Sequence, residues 1–85
     1  MKVKEGLILR RVMERDVVVD VTGAFSGVIR LNATSAAIWQ GVAAGKTEEQ
    51  ITAELTETFE VAPEQARQDV AQFCAKMTEQ GFFVV

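Results

Sequence analysis

A chain of 85 residues closes one modest core and rarely two, so residues 1–85 are expected to form a single domain. Its 48% hydrophobic and 25% charged side chains exclude the disordered class. Twelve acidic side chains against nine basic ones give a net charge of −3, which leaves no broad basic surface to drive nucleic-acid binding by counterion release. There is no histidine or tyrosine and only one cysteine, so the commonest general base, a disulfide framework and a CxxC zinc site are all excluded.

The opening "MKVKEGLILRRVMERD" carries two early lysines, but Glu5, Arg10 and Arg11 interrupt any apolar signal region and no small-residue cleavage site follows. No apolar run approaches the ~20 residues that span a bilayer. A cytoplasmic protein with no membrane partner is expected. The charge is polarised: Lys2, Lys4, Arg10, Arg11, Arg15 and Arg30 lie in the first part of the chain, and the second half is acidic.

The first third reads as strands separated by turn chemistry. "LILRRV" (7–12) and "DVVVDV" (16–21) are strand-like, with Val17, Val19 and Val21 on one face, and they pair through a short link around Glu14 and Arg15. "TGAFSG" reads as a turn or short loop. "VIRLN" follows as a third strand, with Ile29 and Leu31 on one face and Val28 and Arg30 on the other. Being short and last in the sheet, this strand is expected at an edge, with outer backbone groups lacking partners.

From Asn32 the period becomes helical. Asn32 or Thr34 serves as N-cap, and Ile38, Trp39 and Val42 form an apolar stripe that ends at Gly45. "TEEQ" is a capping box in which Thr47 and Gln50 satisfy each other's backbone N–H groups, opening a second helix with Ile51, Leu55 and Phe59 on its buried face. Pro63 starts a third, longer helix, with Ala66, Val70, Phe73 and Met77 at core spacing and Gly81 just past its end. "FFVV" closes the chain as a short apolar tail. The order predicts an α+β domain: a winged helix-turn-helix with three N-terminal antiparallel strands followed by three helices. A strand this short can also be exchanged between chains, so a monomer or a strand-swapped homodimer is expected.

Catalytic constellations are missing. Glu48 and Glu49 complement a helix dipole, and Cys74 has no base beside it in sequence and reads as a small apolar residue of the third helix. The glycines match neither nucleotide-binding fingerprint, and Ser35 lacks the Asp-Ser-Leu setting of a carrier-protein serine. Trp39 and Phe73 sit on core stripes and read as buried. No enzyme, cofactor or metal is therefore expected. The third helix carries Glu64, Gln65, Arg67, Gln68, Asp69 and Gln72 near its start, one cation between two acids, which disfavours a small winged-helix DNA-binding regulator, the alternative the fold raises. An open strand edge beside a helix suits either of two fates: the capture of an extended peptide as a further strand, or capping by the chain's own tail or a second copy.

The run "LNATSAAIW", then "GKTEEQITAEL", Phe59 and Val61, Ala66, Asp69, Val70 and Phe73 in fixed spacing, and finally "GFF" resembles the PqqD family over residues 27 to 83. The opening "KVKEGLILRRV" resembles small free-standing members of that family. Ser35 stands where glycine is frequent, and Cys74 and Met77 where leucine is common. The resemblance implies a RiPP recognition element, a peptide chaperone that binds the leader of a ribosomally made precursor peptide. Such a domain presents the precursor to a modifying enzyme, often a radical-SAM protein, in pyrroloquinoline quinone or other RiPP biosynthesis. It further implies a groove between third strand and third helix. Carried onto this chain, Val28, Ile29, Arg30 and Leu31 become the partner strand, and Arg67, Val70, Ala71, Cys74 and Thr78 the facing helix wall.

Overall fold

The computed structural model describes residues 1–23 and 27–85; the central residues of the expected "TGAFSG" loop lie outside that range. The elements run β1 (Lys2–Val3), β2 (Leu7–Val12), β3 (Arg15–Asp20), β4 (Ile29–Leu31), α1 (Ala33–Ala43), α2 (Glu48–Phe59), α3 (Pro63–Glu79) and β5 (Phe83–Val84). The expected α+β arrangement is present: β2, β3 and β4 form an antiparallel sheet in that order, and three helices follow.

β2 and β3 pair from Leu7↔Asp20 to Val12↔Arg15, so the link is shorter than the sequence indicates. Met13 and Glu14 alone make it, at φ of 50° and 66°, both in the left-handed region that such two-residue hairpins need. Period-two alternation then sorts the sheet into two faces. Leu7, Leu9 and Val18 face the helices, with Val18 fully buried, and Ile29 and Leu31 of β4 pack against the same core. The valines at 17 and 19 share a face as expected, but it is the outer one.

The tail behaves as more than an apolar end. β5 pairs antiparallel with β1, Lys2 opposite Val84 and Val3 opposite Phe83, and the Lys4 N–H donates to the Phe82 carbonyl at 2.8 Å. This second small sheet ties the two ends of the chain together and inserts Phe83 into the core. There its ring lies 5.0 Å from Trp39 and 5.9 Å from Phe73, both in tilted or edge-on geometry that aromatic rings favour.

Asn32, not Thr34, caps α1: its side-chain oxygen accepts from the Ser35 N–H at 2.8 Å. α1 buries Ile38, Trp39 and Val42. Gly41 lets α2 approach closely, because a Cβ there would stand 2.6 Å from the Ile51 side chain. The capping box of α2 is formed, with the Gln50 N–H on Thr47 Oγ1 at 3.1 Å and the Thr47 N–H on Gln50 Oε1 at 2.9 Å. Ile51 and Leu55 are buried as expected, whereas Phe59, on the last turn of α2, is 36% exposed. α3 starts at Pro63 and buries Ala66, Val70, Cys74 and Met77. Past its end, Gly81 at φ 82° lets the chain reverse, and the Phe82 N–H returns to the Met77 carbonyl at 2.8 Å.

Candidate peptide-binding groove

β4 has β3 on one side, and among the described residues no strand pairs with its other edge. The apolar tail could have covered that edge but is committed to β1 on another side of the molecule. The edge therefore presents unpaired backbone N–H and C=O groups, the feature that lets an extended chain add as a further strand.

β4 passes directly into α1 through the Asn32 cap, and α1 is the common neighbour of β4 and α3. A pocket of about 310 Å³ opens where these elements converge. It is lined by Asn32, by Thr34, Ser35 and Ile38 on the first turns of α1, and by Asp69, Gln72, Phe73 and Lys76 on α3. Phe73 in its wall, and Ile29 and Leu31 on β4, are all half-buried and packed on the core, so an incoming side chain would meet apolar surface that is already ordered. Lys76 and Asp69 set one cation and one anion on the helix side, and Arg30 stands exposed on the strand side.

The residues expected to form the helix wall are distributed differently. Val70 and Cys74 are core residues, 1% and 3% exposed. Arg67 and Ala71 line a separate pocket of about 620 Å³ on the α2 side, with Glu48, Glu49 and Thr52. Thr78 is exposed one turn beyond Cys74. On the strand side Val28 and Arg30 are exposed, and Ile29 and Leu31 point inward. The flank of α3 that shares a pocket with Asn32 and α1 is thus Asp69, Gln72, Phe73 and Lys76, on the other side of the buried stripe from Arg67, Ala71 and Thr78. Phe73, read from its spacing as core, is half-buried and belongs to both.

Cys74 is not poised for covalent chemistry. The Cys74 thiol lies in the core, and burial, with the Glu48 charge adding, pushes its pKa up from 9.0 to about 11, opposite to the shift an activated thiol needs. Among the described residues no cluster of three or more His, Cys, Asp or Glu side chains could hold a metal ion, and no helix is long and apolar enough to cross a membrane.

Fold and edge together define a winged helix-turn-helix domain with an open strand edge beside its helices. The chain belongs to the PqqD family, coenzyme PQQ synthesis protein D, whose profile matches residues 14–82. No curated protein matches the chain significantly. Two solved structures share its fold. Lasso peptide synthetase B1 complexed with the leader peptide is 21% identical, covers 99% of this chain and 96% of its own, and superposes with a TM-score of 0.82. TbiB1 in complex with the TbiA(beta) leader peptide is 17% identical, covers 96% and 93%, and has a TM-score of 0.79.

Proposed function

We propose that this protein is a non-enzymatic leader-peptide-binding module that presents a ribosomally made precursor peptide to a modifying enzyme such as a radical-SAM protein. The observation that carries the reading is the open outer edge of β4 beside a half-buried apolar groove, uncapped by the chain's own tail. Membership of the PqqD family and the fold shared with two proteins solved with leader peptides support it. The leader adds to β4 as a fourth strand. Its main chain bonds to the backbone of residues 28 to 31, and its alternate side chains enter the space lined by Ile29, Leu31, Phe73 and the pocket at Ser35 and Gln72.

Energetics set the scale. Four main-chain hydrogen bonds contribute about 0.5 to 1.5 kcal/mol each and two apolar anchors about 2 kcal/mol each, so the affinity is on the order of micromolar. Binding of that strength suits a carrier that must release its cargo.

The test is the affinity of a synthetic leader segment of the precursor encoded with this protein, measured by fluorescence anisotropy. Arg30→Glu is expected to weaken binding by roughly twofold to fivefold, as befits an exposed charge worth up to about 1 kcal/mol, with the melting temperature unchanged. Arg30 is exposed on the outer face, so the fold does not depend on it. Equal affinity of the variant would remove Arg30 from the site. No affinity in the wild-type protein for the leader would remove the function.

A further inference from the structure

Apart from Val28 and Arg30 at its β4 border, the outer face of the β2-β3-β4 sheet is used by nothing described so far. Pairing aligns Ile8 with Val19, Arg10 with Val17 and Val12 with Arg15, and on the other side of β3 it aligns Val17 with Arg30. All of these side chains point away from the helices. Ile8 is 40% exposed, Val12 49%, and Val28, just before β4, 55%. At the hairpin tip Met13 is 91% exposed.

Signs of charge are segregated across this sheet. Its two aspartates, Asp16 and Asp20, lie on the core-facing register, where Asp16 meets Arg11 at 4.0 Å. Arg10, Arg15 and Arg30 hold the outer register with no acid among them, and among the described residues none of the three forms an ion pair. In a chain of net charge −3, an aliphatic face bearing three unpaired arginines is the complement of an acidic, partly apolar surface.

We propose that this face docks the modifying enzyme, through an apolar patch on the enzyme rimmed by carboxylates. The proposal rests on the leader-binding reading above and names the second partner's seat. Two features select a protein over other acidic partners. All three cations are arginine and the rows between them are aliphatic, the composition of a protein interface, where arginine is enriched and lysine depleted. Three cations also fall short of the roughly four to eight that anionic membranes recruit and would give only a shallow salt slope on duplex DNA. A second copy placed face to face would set arginine against arginine. The seat is small: two strands about 20 Å long and one about 10 Å long, spaced about 4.8 Å apart, present on the order of 250 Å², well under the roughly 800 Å² per partner of a stable interface. Docking is therefore brief, and charge sets its rate. The seat is centred on β2 and β3 and meets the β4 edge only at Val28 and Arg30, so leader and enzyme bind together.

The test is a methyl NMR titration of isoleucine- and valine-labelled protein with the maturation enzyme encoded beside the precursor, with leader absent and then present. Shifts are expected at Ile8, Val12, Val17 and Val19. Binding should weaken several-fold when salt rises from ~50 to ~300 mM. Arg10→Glu combined with Val12→Glu should weaken enzyme binding by roughly tenfold or more and leave leader affinity unchanged, since both residues lie on β2, with β3 between them and β4. Enzyme contacts confined to the helices, or undiminished in the double variant, or absent while leader still binds, would overturn the docking face alone. Self-association through the same methyls, or their shift by a DNA duplex or anionic vesicles, would overturn it in favour of that occupant. Loss of the leader-binding function instead shows as a leader that shifts nothing.

Discussion

Phe73 and Val70 sit three positions apart on α3 and end in different roles, one half-exposed at a groove and one sealed in the core. Helical spacing places both on one apolar stripe, because it reports the direction of burial and not the width of the buried arc. The flanks of the stripe are ambiguous for the same reason. Arg67, Ala71 and Thr78 lie on one side, Asp69, Gln72 and Lys76 on the other, and only the packing of α1 and α2 decides which side meets β4. A paired substitution distinguishes them. Gln72→Trp is expected to fill the groove and weaken leader binding by roughly tenfold, about 1.4 kcal/mol, whereas Ala71→Trp on the α2 flank leaves it unchanged. Both positions are exposed, so both variants should fold, and reversed outcomes would move the site to the α2 side.

Cys74 illustrates a residue whose sequence reading and environment agree. Its neutral thiol is buried, and with the pKa raised to about 11 the folded protein holds roughly 100-fold less thiolate at pH 8 than the unfolded chain, which titrates near 9. Ellman's reagent should therefore modify the native protein at least about 100-fold more slowly than the denatured one. The raised pKa also fixes the sign of a stability effect. The contribution is complete below pH 9 and is lost as pH rises through about 11, on the order of 2 kcal/mol by linkage. Cys74→Val should flatten that alkaline loss. Fast native labelling, or an alkaline loss unchanged in the variant, would show the thiol to be exposed.

At the scale of elements, the boundaries written most clearly in the sequence are those with side-chain caps. Thr47 and Gln50 close a reciprocal box, Pro63 opens α3, and Gly81 ends it, each through chemistry confined to a few neighbouring residues. The β2-β3 turn is the opposite case. Nothing in Met13-Glu14 signals a left-handed pair, since both residues resist positive φ and Asn-Gly is the usual occupant. The hairpin is held there by six paired positions of register, not by its turn. Replacing Met13-Glu14 with Asn-Gly should relieve the strain and raise stability by about 1 to 2 kcal/mol, read as an upward shift of the melting temperature. A fall would mean that Met13 or Glu14 contributes contacts that outweigh its backbone cost.

At the scale of the whole molecule, 38 × 31 × 18 Å, the thickness is that of one sheet layer and one helix layer. In so thin a body the sheet has one covered face and one bare face, and the order β2-β3-β4 leaves β4 open. The α+β order was legible from the switch between strand and helix periods. The partnership of β1 and β5 was not, because two-residue strands from opposite ends of a chain carry no pattern of their own. That partnership takes the apolar tail away from β4, and among the described residues no other strand covers its outer edge.

The most direct test of that edge is an amide-resolved NMR titration of isotope-labelled protein with the synthetic leader segment. Saturable shifts over residues 28 to 32, together with Asp69, Gln72, Phe73 and Lys76, are the predicted result. Unmoved β4 amides, with shifts only on the α2-facing flank at Arg67 and Ala71 or only with duplex DNA, would contradict leader capture at the strand edge.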